Sequence, residues 1–370
     1  MIVNLIVIGL ILLIGFHYSR KNSPDSKRNR KKYIGIICFI LILQSGLRNV
    51  AVGADTYGYS FAFNEALNLS WAEAGNDVIQ YLTKGIGKDP GYNFFQKTVQ
   101  IFTSDYQVYL VVVAVIFFIS FGFFLYDNLT RSKDLILAFI IYSVLFYSFF
   151  SITGIRQTIA TGMVLFSYYH LKQKNTLIFI LLIFFAFLIH KTAILFLAIY
   201  LLTYIKNFRL FTRVTILIFP IFFIMKEELS LLAISFSGYE EYGFYEGSGT
   251  YVFTSIFLII IIAGLIRAKH IMAIDHRSQL HFKILSFALI LLPLSFINPT
   301  FLRIAIYFTI FLTIFLPNLI FSFTNTSQKI QNLVRTLAIV SLIVLFIKAN
   351  LNAPPYGFFW EKMNLLRQYQ

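Results

Sequence analysis

The stretch YQVYLVVVAVIFFISFGFFLY, Tyr106–Tyr126, contains no charged residue and is long enough as a helix to cross a hydrocarbon core about 30 Å thick. Runs of the same character recur along all 370 residues. They predict an all-α, polytopic integral membrane protein with about twelve transmembrane helices, within a range of ten to thirteen. The expected spans are Ile2–Tyr18, Tyr33–Leu47, Tyr106–Tyr126, Leu135–Ile152, Ile155–Leu171, Thr176–Ile189, Thr192–Ile205, Val214–Met225, Tyr251–Ile266, Ile284–Ile297, Leu302–Phe323 and Leu333–Phe346. The chain is read as one membrane domain, 1–370.

Composition agrees. Apolar residues make up 58% of the chain and charged ones only 13%, about half the charged fraction of a soluble domain. The 43 Phe and 22 Tyr suit lipid-facing surfaces and interfacial belts. A single cysteine, Cys38, excludes an intrachain disulfide and a thiolate metal cage.

The formal charge of +15 is a topology signal rather than a nucleic-acid footprint, because the basic residues sit in short loops between spans. Arg20, Lys21, Lys27, Arg28, Arg30, Lys31 and Lys32 follow the first span, and Arg131, Lys133, Lys172, Lys174, Lys206, Arg209 and Arg213 fill later loops on the same side. Asp25, Asp127, Asp134 and Asp275 are the acids there. The expected arrangement has both termini outside, with an uncleaved first span, in the cytoplasmic membrane of a bacterium. Two regions then fall on the outer side: 48–105, expected to form short interfacial helices, and a Gly/Tyr/Glu-rich loop over 237–250. Loops of that length are more often functional than idle.

Four outer connections carry polar residues where apolar ones would cost less. Gly46-Leu-Arg-Asn-Val-Ala-Val-Gly-Ala-Asp-Thr-Tyr-Gly-Tyr59 follows the second span. Its Arg48 reads two ways, as a fork of donors for a phosphate or as an interfacial arginine snorkelling, with Asp55 capping the next helix. Thr153-Gly-Ile-Arg-Gln-Thr-Ile-Ala160 places Arg156 and Gln157 at the start of an apolar helix, at a cost on the order of 1–3 kcal/mol unless they are paired or near the interface. His190-Lys191 breaks the polarity pattern between the sixth and seventh spans, and a histidine there is either a general base or a structural turn residue. Arg303, beside Asn298-Pro299-Thr300, is the fourth. Arginines gathered at one membrane face would suit a diphosphate. His270, His276 and His281 are spaced six and five apart and do not share a helical face, and no Gly-Lys-Ser phosphate loop, HExxH or CxxC is present. No metal and no cofactor are expected.

In order along the chain, Gly46-Leu-Arg48, Gly53-Ala-Asp55-Thr56, Tyr59, Gly91-Tyr92, Ile155-Arg156-Gln157, Ile159-Ala160, His190-Lys191-Thr192-Ala193, Arg303, Tyr307-Phe308 and Pro354-Pro355-Tyr356 resemble the EpsG family of Wzy-type polysaccharide polymerases. Ala54 departs from the small polar residue common at that position. The resemblance implies a glycosyltransferase at the outer face of the membrane. It would join oligosaccharide repeat units carried on undecaprenyl diphosphate, as donor and acceptor, into capsule, exopolysaccharide or O-antigen. On that basis Arg48, Arg156 and Arg303 are expected to bind the diphosphate. His190 is expected as the base, with Asp55 second, and Thr56, Tyr59, Gln157 and Lys191 in support. The expected partners are the lipid-linked sugar, the bilayer, a chain-length regulator and the flippase of the same route, and no nucleic acid. The competing readings are a flippase for the same lipid-linked sugar and an O-antigen ligase.

Overall fold

The computed structural model describes residues 2–21, 23–53, 55–237, 250–298, 301–351 and 355–363; side chains are described outside 233–237. Regular structure among them is helical, with one isolated β-type pairing between Arg48 and Phe358. The expected loop over 237–250 falls almost wholly outside the described residues, as do Ala54, Pro299, Thr300 and Pro354.

Two compact units form, one from 1–194 with 349–370 and one from 195–348. The first holds α1 (Ile2–Ser19), α2 (Lys27–Gly46), α3 (Thr56–Asn68), α4 (Trp71–Lys84), α5 (Pro90–Gln100), α6 (Tyr106–Asn128), α7 (Ser132–Leu145), α8 (Ile155–Lys172) and α9 (Thr176–Ile189). α6 is its spine, packed between α2 and α8, while α9 packs on α8 and α1 lies along α7. Phe117, Phe121, Phe139 and Tyr142 interlock around α6, with ring centroids 5.0–6.0 Å apart. Such pairs add to the area that each ring buries.

The second unit holds α10 (Ala198–Thr203), α11 (Phe208–Ile224), α12 (Lys226–Ser237), α13 (Tyr251–Ile266), α14 (Ala268–Ile274), α15 (Ser278–Leu291), α16 (Leu302–Thr309), α17 (Leu312–Phe321) and most of α18 (Gln328–Leu351). α15 is central and touches α11, α13 and α16.

Among the described residues, four helical segments, Ile2–Ser19, Tyr106–Asn128, Ser278–Phe296 and Gln328–Leu351, are long and apolar enough to cross a membrane. Three bent pairs, Phe208–Ile224 with Lys226–Leu232, Tyr251–Ile266 with Ala268–Ile274, and Leu302–Thr309 with Leu312–Asn325, raise that to at most seven. Twelve spans are therefore not reached by length and composition. α9, at 14 residues, is about 21 Å long, short of the hydrocarbon thickness. α2 spends its first two turns on Lys27, Arg28, Arg30, Lys31 and Lys32. α7 ends after 14 residues in a π-turn over Ser148–Thr153. Helix formation itself coincides with every apolar run.

α18 makes the solvent plain. Leu333, Leu337, Val340, Ile343, Val344 and Ile347 are all exposed on it, and only 11% of its apolar window is buried. A water-soluble protein does not leave so long an apolar helix bare. The chain is a membrane protein.

The region 48–105 forms three short helices. α4 begins with a capping box, in which Ser70 Oγ accepts from the Glu73 amide at 3.2 Å and the Ser70 amide donates to Glu73 at 2.7 Å. It ends at Gly85 in the left-handed region. α5 then packs against α9, which brings the Asp89-Pro90-Gly91-Tyr92 corner to the point where α9 stops.

Candidate active site

Asp89 precedes Pro90, the first residue of α5, and occupies the N-cap position. An aspartate there ordinarily accepts from its own helix. This one does not; its backbone lies in the left-handed region at φ 51°, and the carboxylate turns away to other partners. Oδ1 accepts from the Lys191 backbone N–H at 2.9 Å. Oδ2 accepts from Arg156 Nη1 at 2.8 Å and lies 3.6 Å from His190 Nδ1, a contact longer than a hydrogen bond. A non-glycine residue held at positive φ is a local cost that suggests function once it is observed.

Three elements deliver these groups. Arg156 sits in the first turn of α8, just after the π-turn. His190 follows the last residue of α9, where the backbone becomes extended, and a 3₁₀ turn over Lys191–Leu197 succeeds it. The contact between α5 and α9 depends on Gly91. A Cβ built there would lie 2.7 Å from Leu188 Cβ and 2.9 Å from the Leu188 carbonyl oxygen.

Burial is graded across the cluster. The Asp89 side chain is 1% exposed, His190 7% and Arg156 26%, so Arg156 is the most accessible of the three. Desolvation pushes the Asp89 carboxyl up. His190, Arg156 and the Lys191 amide together outweigh it and hold the acid below its ordinary value, so it is charged at neutral pH.

Arg156 also sits over two aromatic faces, with Cζ 5.6 Å from the Tyr59 ring centroid and 5.8 Å from that of Tyr92. Tyr59 and Tyr92 meet edge to face at 5.9 Å and belong to a buried cluster with Phe63, Tyr109, Ile155 and Ile189. The arginine required at the head of an apolar helix is thus matched by one carboxylate and a phenolic wall.

The expected site residues divide accordingly. Arg156, His190, Tyr59 and the Lys191 backbone come together around Asp89. Gln157 is buried beside them in α8. Thr56 is fully buried; its hydroxyl donates to the Val52 carbonyl at 2.9 Å and lies 3.2 Å from that of Ile152, a role in folding the loop. Asp55 precedes α3 without capping it. Arg303 stands half-buried in the first turn of α16, in the second unit.

Arg48 is enclosed rather than presented. Its guanidinium is buried, with Nη1 donating to the Ser45 carbonyl at 2.5 Å, and Tyr106, Tyr142, Tyr147 and Tyr356 stand around it. The tail closes it in. The Asn49 amide donates to Gly357 O at 2.8 Å, the Phe359 amide to Leu47 O at 2.9 Å, and Asn49 Nδ2 to Glu361 O at 2.7 Å.

Asp89 was absent from the expected residues. Before Pro it reads as an ordinary helix cap, and no local pattern shows that its carboxylate is directed elsewhere. The signals available were the need of Arg156 for a counter-charge and the neighbouring Gly91-Tyr92. Among the described residues no three His, Cys, Asp or Glu side chains gather as a metal centre requires.

Comparison with known proteins completes the assignment. No curated protein and no solved structure matches the chain. The sequence model of the EpsG family matches residues 31–363, which include the whole Asp89, Arg156 and His190 cluster and the tail over Arg48. With its helical membrane architecture and this match over nearly its full length, the chain belongs to the EpsG family, a group of Wzy-type, polymerase-like membrane proteins.

Proposed function

We propose that the protein joins oligosaccharide repeat units carried on undecaprenyl diphosphate into a surface polysaccharide, at the outer face of the cytoplasmic membrane. The observation that carries this reading is the cluster in which Arg156, the most exposed member, shares the buried Asp89 carboxylate with His190.

The chemistry required is modest. The acceptor hydroxyl oxygen bonds to the anomeric carbon of the donor, the bond from that carbon to the diphosphate breaks, and the polyprenyl diphosphate leaves with the electron pair. Arg156 supplies a fixed cation for the charge that develops on the leaving group. The hydroxyl proton passes to His190, whose imidazolium is then stabilised by Asp89. Tyr59 and Tyr92 hold the guanidinium in place.

The test is genetic and chemical together. Wild type, Arg156→Ala and His190→Ala are expressed in a host lacking the gene, at matched membrane levels, and lipid-linked glycans are analysed on each leaflet. Both variants are expected to accumulate single repeat units on the outer leaflet while wild type makes long chains. Accumulation confined to the inner leaflet would identify a flippase and overturn the reading.

A further inference from the structure

Asp89 is used asymmetrically. Oδ1 is pinned to the main chain at Lys191, at 2.9 Å, and acts as a pivot. Oδ2 serves two side chains on two different elements, Arg156 at 2.8 Å and His190 at 3.6 Å. The nearer contact is a full ion pair and the farther one is too long for a hydrogen bond. With Oδ1 held, a small rotation of the carboxylate carries Oδ2 from the guanidinium towards the imidazole.

We propose that Asp89 is a positioning residue whose Oδ2 is exchanged between Arg156 and His190, so that a diphosphate taking Arg156 hands the carboxylate to the base. This rests on the diphosphate-transfer reading above and adds an order of events to it. In the resting site the carboxylate stands in for the diphosphate on Arg156. A donor diphosphate brings more charge and several acceptor oxygens to the same guanidinium, and reaches it through the exposed side of the cluster. Oδ2 is then released to His190, where it orients the ring and stabilises the imidazolium formed as the acceptor proton arrives. When the polyprenyl diphosphate departs, Oδ2 returns to Arg156 and the site resets. The base is thereby set only when a donor is present.

The exchange predicts opposite effects on binding and turnover. The full-length protein in nanodiscs is titrated with farnesyl diphosphate, a short polyprenyl diphosphate, and the same preparations are assayed for polymer. Asp89→Asn keeps an oxygen for the Lys191 amide and removes the charge. It is expected to bind the probe about tenfold more tightly, because the internal competitor is gone. Polymer formation is expected to fall about a hundredfold, with a lower apparent KM for the donor. In an Arg156→Ala background the gain in binding disappears. Damage to the fold alone would weaken binding and turnover together.

If Asp89→Asn binds the probe no better than wild type, while Arg156→Ala still abolishes binding, the exchange is overturned and the diphosphate reading stands. If wild type does not bind the probe, or binds it independently of Arg156, both are overturned. Should Asp89→Asn fail to accumulate in the membrane, Asp89→Ser is read by the same criteria.

Discussion

The Cα of Gly91 lies so close to the backbone of Leu188 that a methyl group placed on it would stand 2.8 Å from the Leu188 carbonyl carbon. This contact fixes the distance between the start of α5 and the end of α9, and with it the distance between Asp89 and His190. Two residues away on one side is the carboxylate, and two residues away on the other is the imidazole. Gly91→Ala must push the helices apart, since the obstacle is backbone rather than a flexible side-chain tip. A cost of about 1–3 kcal/mol in stability is expected, as for overpacking elsewhere. Polymer yield should fall by more than the loss of folded protein accounts for, because Asp89 and His190 separate. Comparing polymer per folded molecule, with folding measured by thermal shift in detergent, checks this; a decrease that only tracks protein level would assign Gly91 to stability alone.

Arg156→Lys separates charge from shape. The guanidinium reaches Asp89 through Nη1 and lies over the rings of Tyr59 and Tyr92 at the same time. A lysine ammonium is a point charge that can satisfy the carboxylate but lacks the planar fork. The substitution should leave the fold intact and lower the polymerisation rate about a hundredfold, in line with loss of a preorganised donor. Wild-type activity in the lysine variant would show that a cation, and not its geometry, is what the site needs.

The helices were legible and the span count was not. Each apolar run from Ile2 to Phe346 does become helix, because a bilayer leaves the backbone no other internal partner than its own carbonyls. Whether a run spans depends on where a helix breaks. The break after α7 at Leu145 falls inside the run Leu135–Ile152, whereas α9 and α11 stop at or beside the ends expected from the sequence, Ile189 and Met225. The site shows the same division. Arg156 and His190 stand out in the sequence because charge is expensive in apolar surroundings, whereas Asp89 lies in a polar loop where an acid is unremarkable. Arg48 stands out for the same reason as Arg156, yet its burial depends on a tail more than 300 residues away in the chain.

That tail gives a prediction of its own. Asn49 carries it with one side chain, donating through Nδ2 to the Phe358 and Glu361 carbonyls while its Oδ1 accepts from the Ala51 amide. Tyr356 adds a hydrogen bond from its hydroxyl to the Gln44 carbonyl at 2.5 Å. Tyr356→Phe removes one contact and should cost about 1 kcal/mol. Asn49→Ala removes three and strands the buried Ala51 amide, so a larger loss, about 2–3 kcal/mol, is expected. Limited proteolysis with a C-terminal epitope reads the result directly. The epitope should be cleaved sooner in Asn49→Ala than in Tyr356→Phe, and equal cleavage in both and in wild type would mean that the tail is held elsewhere.

The charge state of Asp89 yields a pH dependence with a definite sign. Burial pushes its acid up, but His190, Arg156 and the Lys191 amide hold it below the ordinary aspartate value of 3.8. A carboxyl that is more acidic when folded than when unfolded stabilises the fold at every pH above that ordinary value. Its contribution is lost as the pH falls from about 4 through the lower folded value, where the proton displaces Arg156. The thermal midpoint of the wild type in nanodiscs should therefore drop as the pH is lowered through that window. Asp89→Asn carries no such proton, so its midpoint should lie below that of wild type at neutral pH and change less over the same interval. The difference between the two curves is the quantity to measure, since other carboxyls titrate in both proteins and cancel. A difference that stays constant from pH 7 to pH 3 would mean that Asp89 is not paired as the structure shows, and would remove the electrostatic basis for its sharing between Arg156 and His190.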